Sequence, residues 1–228
     1  EGYELQVGQP QVVMQGDNEP WENVTINVPD QFSGSVIEKL SRRSAVLTRH
    51  EVDHNRIATL EFDAPSRGLI GYRSEFLTDA RGDGIMYQAF SRYAPRAGEI
   101  RRRDNGAIIA QETCETVTYG LHAIQERGRL FLGAGESIYA GQLIGLHARQ
   151  NDLVVAAGKM KKLTNMRASG SDEKQFLTPP FRPTLEQAIE LIEPDEQVEV
   201  TPKSIRIRKR TLDHNVRRKE NKRSEQDD

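Results

Sequence analysis

The sequence predicts an α+β protein: a ferredoxin-like split βαβ domain followed by a β-rich domain with one clear helix and a long basic loop. Three observations point there. Residues 21–98 read as strand, helix, strand, strand, helix, strand. From about Gly98 the pattern breaks into short apolar runs separated by glycine. Gly158 to Pro180 then has no apolar period of either kind and carries Lys159, Lys161, Lys162 and Arg167 before any acid. The expected boundaries are 1–20 for the end of a preceding domain and a linker, 21–98 for the ferredoxin-like domain, 99–212 for the β-rich domain and 213–228 for a charged tail.

Taken in order, Tyr3 to Val7 reads as strand, as though the chain opened inside a longer protein, and Gly16, Asp17, Asn18 and Pro20 read as a turn-rich linker. Val24, Ile26 and Val28 alternate with Thr25 and Asn27, the period of a half-buried strand. After Pro29 the period changes, and Phe32, Val36, Ile37 and Leu40 share a helical face that ends on Arg42 and Arg43. Ala45 to Val52 and Arg56 to Phe62 form two strands around Asp53-His54-Asn55. A second helix opens at Pro65 and Gly68, with Leu69, Arg73, Phe76 and Leu77 on one face, and stops at Gly82 and Gly84. Ile85 to Tyr93 is the last strand of this sheet, which would be antiparallel with both helices on one face.

In the β-rich domain the short runs Ile108 to Ala110, Val117 to Leu121, Leu130 to Leu132, Ile138 to Tyr139, Leu143 to Leu146 and Leu153 to Val155 are expected as strands. Thr184 and Gln187 form a capping box ahead of Leu185, Ala188, Ile189 and Ile192, and Pro194 ends that helix. Ser204 to Arg210 is a strand with Ile205 and Ile207 on one side and Arg206, Arg208 and Arg210 on the other. Asp213 to Asp228 is a frayed helix or tail.

With 32 basic and 34 acidic residues the net charge is -2, yet the bases cluster at Arg101 to Arg103, in the 158–180 segment and at Lys203 to Arg210. Local phosphate partners therefore fit, although the overall balance does not demand them. No run approaches the roughly 18 apolar residues that a membrane span needs, and the single cysteine, Cys114, cannot form an internal disulfide. These features place the chain in the cytoplasm, away from membranes; a monomer is expected.

Several motifs dissolve in context. His50-Glu51-Val52-Asp53-His54 spells H-E-x-x-H, but its flanks alternate as strands, so the two histidines would not share a helical face and no metal site is expected. Gly133-Ala134-Gly135 reads as a tight turn. No G-x-x-x-x-G-K-[ST] occurs, which leaves no sequence basis for nucleotide hydrolysis. Cys114 with His122 reads as a small hydrophobe near a histidine rather than a catalytic pair. No catalytic residue and no cofactor is assigned.

The cations carry the functional reading. At about 3.3 Å per extended residue, the 158–180 segment running out and back could project on the order of 30 Å. Lys159, Lys161, Lys162 and Arg167 suit phosphate, while Asn165, Ser169 and Gly170 would add hydrogen bonds or close backbone approach. Four such contacts to single-stranded RNA would give a salt slope near -3, roughly 50-fold in affinity between 50 and 200 mM. Arg206 and Arg208 form a second candidate surface, for RNA or for an acidic protein partner.

Two stretches, Pro65-Ser66-Arg67-Gly68-Leu69-Ile70-Gly71-Tyr72-Arg73-Ser74-Glu75-Phe76 and Lys161-Lys162-Leu163-Thr164-Asn165-Met166-Arg167-Ala168-Ser169-Gly170, resemble the BipA/TypA translational GTPases. So do Gln125 to Phe131, Asn151 to Leu153, Thr184 to Ala188 and Val198 to Arg206. The resemblance implies the C-terminal portion of such a factor: a domain like domain V of elongation factor G, then the family's own C-terminal domain, without the G domain that would hold GTP and Mg. It further implies a ribosome-binding role in large-subunit assembly and stress adaptation. The 158–180 loop would reach rRNA near the peptidyl-transferase centre and the acceptor end of tRNA.

Overall fold

The computed structural model describes residues 4–98, 100, 103, 105–160 and 176–227, the side chains of 221–227 excepted. The chain divides into two compact units, Pro10–Arg102 and a second that joins Glu1–Gln9 to Arg103–Asp228. Strand β1 (Leu5–Val7) belongs to the second.

The first unit runs β2 (Asn18–Pro29), α1 (Asp30–Arg42), β3 (Val46–Val52), β4 (Ile57–Pro65), α2 (Ser66–Leu69), α3 (Tyr72–Asp79) and β5 (Ile85–Pro95). Its sheet has the order β3-β4-β2-β5 with every neighbour antiparallel, the split βαβ arrangement the sequence predicts. Strict alternation turns Val24, Ile26, Val28, Ala58, Leu60 and Phe62 to one face. There Val36 and Leu40 of α1 and Tyr72 and Phe76 of α3 bury them. Asn18 to Pro20, read as linker, instead extend β2, because Ala94 and Tyr93 of β5 supply ladder partners for Glu19 and Pro20.

The expected second helix is two. Gly71 adopts φ +78°, a left-handed conformation suited to glycine, and breaks it between α2 and α3. The buried Arg43 guanidinium closes this corner by donating to Gly68 O and Ile70 O, both at 3.1 Å, and to Glu75 Oε2 at 2.8 Å. His50 lies on β3 and His54 in the turn after it, where Asp53 Oδ1 accepts from the amides of Asn55 and Ile57. The two histidines share no helical face.

The second unit is built on a sheet of order β1-β12-β13-β10-β6-β11, with β8 also paired to β10. Its strands are β6 (Ala107–Ala110), β8 (Gly128–Leu130), β10 (Gln142–His147), β11 (Leu153–Val155), β12 (Glu196–Val200) and β13 (Ile205–Lys209); β7 (Cys114–Glu115) and β9 (Ser137–Ile138) pair separately. All four residues of β6 are buried, as expected of a central strand covered on both faces. Ile108 and Ala110 face a cluster with Leu121 and Ile124 of α4 (Thr118–Gln125). Ala107 and Ile109 face Ala188 and Ile192, of and just beyond α5 (Leu185–Leu191).

Val117 to Leu121, expected as a strand, therefore opens a helix. A five-residue apolar run fits either element, and burial of Leu121 with Ile124 three residues on selects the helix. The Thr184 and Gln187 capping box is present, and α6 (His214–Asp227) forms the tail, capped by Asp213. Leu5 to Val7 pair with Val200 to Val198, so this strand completes the second unit's own sheet. Among the described residues, no helix is long and apolar enough to cross a membrane.

Candidate nucleic-acid interface

Both arms of the 158–180 segment are pinned to α4. On the outgoing side, Val117 N donates to Ala157 O at 3.2 Å, and Gly120 lets that carbonyl approach so closely that a Cβ there would collide with it. On the return side, Gln125 Nε2 donates to Phe176 O and Gln125 Oε1 accepts from Thr178 N, each at 3.0 Å. Leu177, between them, packs into the α4 cluster, and Phe181 N donates to Leu130 O at 2.8 Å. An eight-residue helix about 12 Å long thus separates the two feet.

Lys159 is exposed on the outgoing foot, next to Met160 at 74% exposure, while Phe176 on the return foot is 78% exposed. Lys161, Lys162, Asn165, Arg167, Ser169 and Gly170 lie outside the described residues.

Register puts Arg206 and Arg208 on the sheet face opposite α5, the face that α4 covers farther along, because Gln142 and not Leu143 is the partner of Arg208. Both are half-buried. Arg206 Nη1 lies 4.0 Å from Glu199 Oε2, which also accepts from Tyr139 Oη at 2.8 Å. Burial first, and the Glu199 carboxylate second, push the Tyr139 phenol well above its ordinary range, so it remains a neutral donor. Arg182, Lys203 and Arg206 help line a cavity of about 690 Å³ with Phe131 and Glu136.

Two of the basic segments lose cations to the interior. Lys209, on the Ile207 side of β13, is 3% exposed; its Nζ meets Asp152 Oδ2 and Asp195 Oδ2 at 2.8 Å and Glu196 Oε1 at 2.9 Å. Burial alone would lower its pKa, and the three carboxylates outweigh that and raise it. Arg103 forks onto fully buried Glu196 at 2.9 and 3.0 Å and donates to Leu191 O. Strict alternation through β13 is the signal for Lys209: a residue two beyond Ile207 must share its buried face. No charge or periodicity in the sequence singles out Gln125.

Residues 18–103 match the model of the elongation factor G C-terminus, and residues 105–214 match that of the TypA/BipA C-terminal domain. The large ribosomal subunit assembly factor BipA of Escherichia coli is 49% identical over 227 residues. Its counterparts in Salmonella typhimurium and Haemophilus influenzae are 48% and 47% identical, and each alignment covers 97% of this chain. The chain is the C-terminal portion of a BipA/TypA-family protein. It spans 37% of the length of those BipA relatives.

Within this BipA-type region, several stretches that carry the family resemblance are explained by packing. Arg67 donates through Nε to fully buried Glu19 at 2.9 Å and through Nη2 to Ala97 O at 2.7 Å, tying α2 to the end of β5. Gly68 backs onto Arg43 O with no room for a Cβ. Asp152 serves both the Ala107 amide and Lys209, and Thr184 caps α5. Gln125, by contrast, holds the foot of the basic segment.

Proposed function

We propose that this region docks a BipA-type factor on the large ribosomal subunit through RNA and serves large-subunit assembly and stress adaptation in the cytoplasm. The basic 158–180 segment is the inserting element. Lys159, Lys161, Lys162 and Arg167 neutralise phosphate, Asn165, Ser169 and Gly170 approach the backbone, and Arg206 and Arg208 make a second contact. The segment reaches toward the peptidyl-transferase centre and the acceptor end of tRNA. GTP and Mg belong to a G domain outside this chain, which itself catalyses nothing and acts as a monomer.

The observation that carries this reading is the pinning of both feet to α4: Gln125 on one side and the Gly120 contact on the other give the basic 158–180 segment a fixed base. A fixed base lowers the ordering cost of insertion and aims the cations. The relatives' name, large ribosomal subunit assembly factor, supplies the target.

Co-sedimentation with large subunits from 50 to 200 mM salt tests it. The expected slope of log affinity against log salt flattens by about 3 when the four loop cations become alanine. An unchanged slope would contradict the reading.

A further inference from the structure

We propose that Arg127 and Arg129, immediately after α4, form a rigid shoulder that binds the sugar-phosphate backbone of RNA beside the return foot of the 158–180 segment. The proposal rests on the RNA reading above and adds a contact outside the segment.

Arg103 and Lys209 are locked into buried carboxylates, Arg182 pairs with Glu136 at 2.7 Å, and Arg206 faces Glu199. Arg127 and Arg129 are exposed, and among the described residues no carboxylate forms an ion pair with either. Glu126, also exposed, is the acid of this stretch, which still nets positive from Gln125 to Arg129.

The Arg129 guanidinium lies 3.9 Å from the centroid of the Phe181 ring, whose own neighbour is Phe131 at 6.0 Å. Stacking fixes the plane of the guanidinium while leaving its in-plane N–H donors free, the state in which a planar fork meets a phosphate with least entropy to lose. The backbone beneath is equally fixed. Arg129 pairs with Leu146 across β8 and β10, and Arg127 O accepts from Ala148 N at 2.8 Å.

Gln125, two residues before Arg127, holds Phe176 and Thr178, and Phe181 follows three residues after Thr178. The shoulder therefore flanks the point where the segment returns to the body.

The test compares the wild-type 228-residue chain, an Arg127→Ala/Arg129→Ala variant and a variant with Lys159, Lys161, Lys162 and Arg167 changed to alanine. The probes are purified large ribosomal subunits and protein-free large-subunit rRNA. Removing the shoulder should flatten the salt slope by about 1.4 on both probes, roughly sevenfold in affinity between 50 and 200 mM. An Arg127→Gln/Arg129→Gln variant, whose planar amide can keep the Phe181 stack, should give the same change and so removes misfolding as its cause. If the loop variant weakens binding while both shoulder variants keep the wild-type slope, the shoulder is overturned and the RNA reading stands. If neither set matters, both fall. Loss on subunits without loss on protein-free rRNA would assign the shoulder to a ribosomal protein and overturn the proposal.

Discussion

Gln125 holds Thr178 at the foot of the basic segment: its carbonyl oxygen accepts from the Thr178 amide at 3.0 Å while its amide nitrogen donates to Phe176 O at the same distance. One side chain thereby takes the place of a strand neighbour for the return arm. At about 0.5–1.5 kcal/mol per hydrogen bond, Gln125→Ala should loosen the foot by about 1–3 kcal/mol locally. Hydrogen exchange at the Thr178 amide should then quicken at least fivefold, with the ferredoxin-like unit unaffected. Unchanged protection of Thr178 would show that Leu177 packing alone holds the arm.

Lys209 is a structural cation. Replacing it with alanine leaves Glu196, fully buried, and the neighbouring Asp152 and Asp195 without it, and among the described residues Arg103 is the cation that remains paired with Glu196. Breaking a buried charge cluster from one side costs about 3–5 kcal/mol. Urea denaturation of Lys209→Ala should show a loss of that size in the second unit, whereas Lys203→Ala, exposed, should cost under about 0.5 kcal/mol. Equal effects would remove Lys209 from the core.

The same cluster sets an acid limit. Burial would raise the Asp152 carboxyl, but Lys209 and the Ala107 amide outweigh burial and hold it below the usual carboxylate range. A folded-state pKa below the unfolded one contributes stability that is complete above the unfolded value and lost as pH falls through the folded value. The second unit should therefore lose stability below about pH 4, and Asp152→Asn should flatten that limb in a pH series of denaturant midpoints. Glu193 runs the other way, since burial raises it, and its contribution is lost as pH rises through its folded pKa.

How far each part was legible follows from periodicity. The ferredoxin-like order could be read because Val24, Ile26 and Val28 and then Val36 and Leu40 change period at Pro29, a break that local sequence alone marks. The second unit was less readable. Its central strands are buried on both faces and so lose alternation, and α4 hides in a run of five residues whose helical partner, Ile124, is set by tertiary contact. Lys209 sits between Arg208 and Arg210 in sequence, and its acids lie 57, 14 and 13 positions away. The candidate surface was read from charge alone. Charge counts cannot separate cations spent on the interior, such as Arg103, from an exposed one such as Lys159.

The most direct measurement is a chemical footprint of this 228-residue chain on the large ribosomal subunit. The account predicts protected rRNA nucleotides near the peptidyl-transferase centre that reappear as reactive when the four loop cations are replaced by alanine. Protection elsewhere only, or protection there that survives the replacement, would contradict it.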